Sequence, residues 1–149
     1  MSYTEIATRT LTSNQTEVGF TNIPQTFRDL VVVAFSRNQN VGSIALRFND
    51  DANANYQNVG ISWDGSSPIN ANAGNLETVL RVTAGFATGD SDSWARTIVQ
   101  IHNYTSTTQH KSVLMRSGVV YEGFSGQPRT QTFTAGRYAV TSPSITRIS

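Results

Sequence analysis

The stretch LRFNDDANANY, residues 46–56, places side-chain oxygens at alternate positions: Asp51, Asn53 and Asn55. A calcium loop presents its ligands with that spacing, but it also needs a glycine at the bend and a late bidentate glutamate. Tyr56 occupies the glycine position and Ser62 the glutamate position. The preceding SIALRF reads as a strand, where a calcium loop needs a helix. The stretch is therefore read as a turn between strands, because Asn and Asp side chains cap turns and tolerate left-handed backbone. No metal is expected there.

Other reactive side chains are sparse. His102 and His110 flank NYTSTTQ, where a strand is expected to turn back. No His-x-His or His-Glu-x-x-His spacing accompanies them, so they are read as turn or solvent-facing histidines rather than zinc ligands. GDSDS at 89–93 offers Ser91 and Ser93, but without the Gly-x-Ser-x-Gly elbow of a strand-to-helix nucleophile. Asp50, Asp51, Asp64, Glu77 and Glu122 could pair across space as glycosidases require, though no local spacing brings them together. NQT at 14 and NYT at 103 match glycosylation sequons, as expected by chance where Ser, Thr and Asn are this common. No phosphate-binding glycine loop is present. These residues predict a protein that is not an enzyme and carries no cofactor.

The elements expected to position them are short strands. LVVVAF at 30–35 is apolar on both faces and predicts a central, buried strand. SIALRFN at 43–49 alternates, with Ile44, Leu46 and Phe48 on one face. RNQNVG between these runs suits a hairpin. Further strands are expected in 3–11, 15–20, 59–63, 77–85, 94–104, 110–123, 129–140 and 144–149. The stretch 67–75 reads as a loop, and ANAGNLE (71–77) offers at best one helical turn. Trp63, next to the Asp64-Gly65 turn, is the best candidate for an exposed, sugar-stacking aromatic. Trp94, Tyr56, Tyr104, Tyr121 and Tyr138 are more readily strand or core residues. The pattern argues an all-β, single-domain antiparallel β-sandwich over 1–149.

Composition narrows the class. Of 149 residues, 38% are hydrophobic and 14% charged, which excludes a disordered polyelectrolyte. No apolar run approaches the roughly 20 residues of a membrane helix, and the N-terminus does not read as a secretory signal. A net charge of +1 gives no basic excess to steer toward nucleic acid, so neither nucleic acid nor membrane is an expected partner. There is no cysteine, so disulfides and thiolate metal sites are excluded. Ten arginines stand against one lysine, Lys111. Arginine's planar, weakly hydrated fork suits packed interfaces, so the bias hints at a protein-contacting surface.

Four stretches resemble a family of small virion proteins of tailed bacteriophages. They are EIATRTLTSNQTEVGFTNIPQTFRDLVVVAFSR (5–37), LRFNDDANANY (46–56), IHNYTSTTQHKSV (101–113) and SPSITRIS (142–149). They are similar to the family's F-x-x-I-P-Q-x-(Y/F)-x-D-L-V run, its LRFNGDTGSNY, its I-x-N-Y-T-S strand end and its late A-I-T-S-I strand. The resemblance implies a sandwich of jelly-roll character on a virion: a capsid decoration protein binding the major capsid protein, or a tail- or head-fibre module binding glycans. No shaft-like repeat is present, which favours decoration. A homotrimer is expected, with Arg9, Arg28, Arg37, Arg129, Arg137 and Arg147 as candidate contacts. Family members continue past the SITRIS-like strand to a final strand. Its absence here leaves two expectations, a sequence cut short of that strand or an open edge at 144–149 that a partner strand fills.

Overall fold

The residues described by the computed structural model, 3–36, 44–63, 69–81, 94–120 and 131–149, form eight strands and no helix, the longer ones except β4 from runs rich in Val, Ile, Thr and aromatic residues. The strands are β1 (Leu30–Ser36), β2 (Ala45–Leu46), β3 (Tyr56–Trp63), β4 (Asn70–Glu77), β5 (Leu80–Arg81), β6 (Trp94–His102), β7 (Lys111–Val120) and β8 (Gln131–Tyr138). Six of them form one antiparallel sheet in the order β1-β6-β7-β8-β3-β4, and β2 pairs with β5 in a second, small sheet. The protein is thus all-β with a sandwich-like arrangement.

The second layer owes most of its backbone pairing to segments outside the named strands. Phe20 and Ile148 exchange hydrogen bonds of 2.8 and 3.0 Å, and Arg47 and Ser149 exchange another pair of 2.8 and 3.0 Å. The C-terminal segment therefore lies between 20–23 on one side and 47–49 on the other. The open edge expected at 144–149 is not there: both edges are paired by the chain's own backbone.

The core lies between this layer and one half of the large sheet. Phe48, Tyr56, Leu80, Ile101, Tyr104, Met115 and Ile145 are fully buried, with Leu46, Val99, Val113, Tyr138 and Ile148 nearly so. Leu46 and Phe48 face inward as their alternation predicts, and Ile44 packs against the cluster. Gly136 lets the layers approach. A Cβ there would lie 2.7 Å from Leu80 Cδ2 and 3.2 Å from the Gln57 carbonyl oxygen.

Several expectations are corrected. LVVVAF forms β1 at the edge of the sheet, not its centre, with Leu30 inward and Val31, Val33 and Phe35 exposed. An apolar run fits an edge strand when both sides of that edge have apolar neighbours. The hairpin connection expected at 37–42 lies outside the described residues, and the strands on either side of it do not pair with each other: β1 pairs with β6 and β2 with β5. From residue 70 on, the predicted loop at 67–75 and helical turn at 71–77 give way to β4, which pairs antiparallel with β3; 67 and 68 lie outside the described residues. Segments 3–11 and 15–20 form no strand beyond the single bridge at Phe20.

Candidate docking face

The Asp51 turn is held by its own side chains. Asn49 and Asp50 have φ of 53° and 56°, and the Asp51 amide donates to the Phe48 carbonyl at 2.9 Å. Asp51 Oδ1 accepts from the Asn53 amide at 2.9 Å and the Asn53 side chain at 2.6 Å. Its Oδ2 accepts from the Asn55 side chain at 2.8 Å and the Tyr138 hydroxyl at 2.9 Å. Both carboxylate oxygens thus work as acceptors for protein donors, which is the chemistry of a turn. Burial opposes ionisation and is the largest single influence on Asp51. The hydrogen bonds from Asn55, Asn53 and Tyr138 together outweigh it and hold the carboxyl below its ordinary value of 3.8. Burial pushes the Tyr56 phenol up to about 12. Burial, then the bond to Asp51, pushes Tyr138 above its usual range. Both phenols remain neutral donors.

Lys111 is the chain's one lysine and is fully buried. Its Nζ donates to the carbonyls of Val140, Thr141 and Pro143, two of them at 3.0 Å. Burial lowers its pKa, and it makes no ion pair among the described residues. It clamps the start of the C-terminal segment to β7, a structural role that its residue type alone did not signal.

No catalytic constellation assembles among the described residues. His102 Nδ1 lies 3.5 Å from Asp29 Oδ1 at an exposed corner of the sheet, and His110 is exposed at the far end of the β6–β7 hairpin. No group of three or more His, Cys, Asp or Glu side chains converges among the described residues. Ser91, Ser93, Asp64, Gly65, Tyr121 and Glu122 lie outside the described residues.

The outward face of the large sheet stands apart. In register across the strands, its middle row reads Val33, Ile98, Arg116, Phe133, Ile61 and Ala71. On one side runs Val31, Gln100, Leu114, Ala135, Val59 and Ala73, and on the other Phe35, Arg96, Gly118, Gln131 and Trp63. An antiparallel sheet with one solvated face ordinarily alternates apolar inward and polar outward. Here Val33, Phe35, Val59, Trp63 and Phe133 are 50–63% exposed. A contiguous exposed apolar patch of this kind marks an interaction surface. Its three rows hold no carboxylate, and their charges are Arg96 and Arg116. The Arg96 guanidinium lies 5.7 Å from the Phe35 ring centroid, within cation–π range.

The arginines expected at contacts are dispersed. Arg137 extends the outward face beside Gln57, to which it donates. Arg28 Nε donates to Asn103 Oδ1 at 3.3 Å. Arg147 is committed within the chain, with an amino nitrogen 3.0 Å from Glu17 and Nε 2.5 Å from Asp50. The second is a close ion pair whose N–H is not aimed as a hydrogen bond. Arg9 is exposed in the N-terminal segment, and Arg37 and Arg129 lie outside the described residues. Trp63 is exposed as expected, but as one member of an apolar face rather than a lone platform. Arg96 and Arg116 were not singled out from sequence. Their signal was phase: each lies two residues from an outward apolar position, Ile98 and Leu114.

No family model, curated protein or solved structure matches the chain.

Proposed function

We propose that the chain is a non-enzymatic structural protein of a tailed-bacteriophage virion. In this reading it is a capsid decoration protein that docks on the shell formed by the major capsid protein, as a homotrimer. The outward sheet face carries the proposal: exposed apolar side chains spread over a six-stranded sheet, with two arginines and no carboxylate in the three rows. Apolar area supplies affinity, and arginine selects a partner surface that offers carboxylates. The four stretches that resemble phage virion proteins support the virion setting. The glycan-binding alternative has Trp63 in its favour, but its apolar neighbours suit a protein surface better than a sugar.

Binding to the native shell stabilises it by mass action. Stripped heads are expected to rupture at lower temperature than decorated ones, and added protein should restore them. The double variant Val33→Asp, Phe133→Asp should stay folded and fail to restore. Identical rupture of stripped and decorated heads, or labelling of the tail instead of the head, would overturn the proposal.

A further inference from the structure

Residues 3–11, YTEIATRTL, have the composition of a strand: Tyr, Ile and three threonines, with no Pro or Gly. Yet every residue from 3 to 17 is exposed and none is in a strand. Among the described residues, 3–19 exchanges no backbone hydrogen bond with any other segment. Its side-chain bonds are local apart from Glu17 with Arg147. Tyr3 stands 74% exposed, with Ile6 and Leu11 also exposed.

The complementary feature is the outer edge of β1. β1 pairs with β6 along one side, and no described strand adjoins the other. An exposed apolar edge strand carries a row of free backbone donors and acceptors, and proteins ordinarily blunt such an edge with charge, proline or cover. LVVVAFS has neither a charge nor a proline. Among the described residues there is thus a strand-patterned segment without a backbone partner and a strand edge without cover.

We infer that residues 3–11 of one copy add as an antiparallel strand to the outer edge of β1 in a second copy. Charge sets the direction. The β1 end at Phe35 carries Arg96 against the Phe35 ring, and the opposite end begins after Asp29. Antiparallel addition brings Glu5 toward Arg96 and Arg9 toward Asp29, with Ala7 opposite Val33. Parallel addition would set Arg9 against Arg96. In that register Glu5, Ala7 and Arg9 extend the three outward rows that run through Phe35, Val33 and Val31. A segment of one copy on the edge of the next is a heterologous contact, which closes into a ring when the rotation permits. The inference does not depend on the virion reading.

The absence of native cysteine makes disulfide trapping specific. Mixing a chain carrying Ala7→Cys with one carrying Val33→Cys under mild oxidation should give a disulfide-linked heterodimer in high yield, while Thr12→Cys with Val33→Cys should not. Light scattering on the full chain should give a multiple of its 16.2 kDa mass. Deleting residues 2–12 should return the monomer mass with thermal unfolding retained, since none of residues 3–12 is buried and no backbone hydrogen bond ties them to another described segment. A full chain that is monomeric at its highest soluble concentration overturns the inference. So does an oligomer that survives the deletion, or an internal disulfide in a monomeric chain carrying both cysteines.

Discussion

The two faces of the large sheet are built from the same strands, yet they have different fates. In β7, Lys111, Val113, Met115 and Ser117 point inward and are buried, while Ser112, Leu114 and Arg116 point outward and are exposed. In β8, Thr132, Thr134 and Tyr138 are buried, while Phe133 and Ala135 are exposed. Polarity does not separate the faces: the inner one buries a lysine, the hydroxyls of Thr97, Ser117, Thr132 and Thr134 and two tyrosines, and the outer one exposes Val, Ile, Leu, Phe and Trp. Where the second layer covers the inner face it also supplies acceptors: the carbonyls of Val140, Thr141 and Pro143 take Lys111, and those of Phe48 and Asp51 take the Tyr56 hydroxyl, while Thr97 and Ser117 bond each other. The outer face keeps its apolar character with no described layer over it, which is the feature the proposed docking role uses.

Truncating matched aromatics on the two faces should show the largest contrast. Phe48 is fully buried against Tyr56 and Tyr138, with ring centroids 6.0 and 5.4 Å away. Phe48→Ala should cost about 3–5 kcal/mol in urea unfolding of the free chain. Phe133→Ala should cost less than about 1 kcal/mol, because half of its area already meets water. Equal losses would mean that the outer face is covered within the free chain and would remove the docking face.

The glycines give a smaller contrast with the same logic. Gly136 faces inward with Leu80 and the Gln57 carbonyl crowding its absent side chain, whereas nothing lies within 4 Å of a Cβ at Gly118 on the outer face. Gly136→Ala should cost about 1–3 kcal/mol through overpacking. Gly118→Ala should be neutral within about 0.5 kcal/mol or slightly stabilising. A thermal shift for Gly118→Ala as large as that for Gly136→Ala would break the distinction.

Much of the fold was legible because period-two alternation survives wherever one face meets a core. Leu46 and Phe48 were placed from it, and the β6–β7 hairpin from the polar NYTSTTQ between two strand runs. β1 failed for a physical reason: a run apolar on both faces signals two apolar environments, and nothing local says whether the second is this chain or another. β4 failed because Asn, Ala and Gly have weak strand propensity, and the register with β3 overrides it. The docking face was not visible as a site. It arises only when six strands from distant parts of the sequence are set side by side, bringing Arg96 and Arg116 into rows whose members are far apart along the chain.

The smallest expected effect concerns acid, and it too separates the faces. Asp51 ties the inner layer together through Tyr138, Asn53 and Asn55, and its carboxyl lies below the ordinary 3.8 in the folded chain. A carboxyl with a depressed native pKa favours the native state when ionised. That stabilisation is complete above the unfolded value and is lost as pH falls through the native one. Asp51→Asn removes the titration but keeps the shape. The variant should melt below the wild type near neutral pH, and the gap should narrow as pH is lowered from about 5 to about 3. Arg116→Gln on the outer face should give a curve parallel to the wild type's throughout, because arginine keeps its charge over that range and its rows hold no carboxylate. An Asp51→Asn gap that stays constant with pH would show that the carboxylate contributes through shape alone. A narrowing gap for Arg116→Gln would show an acidic group reaching the outer face, against its assignment as a carboxylate-free surface.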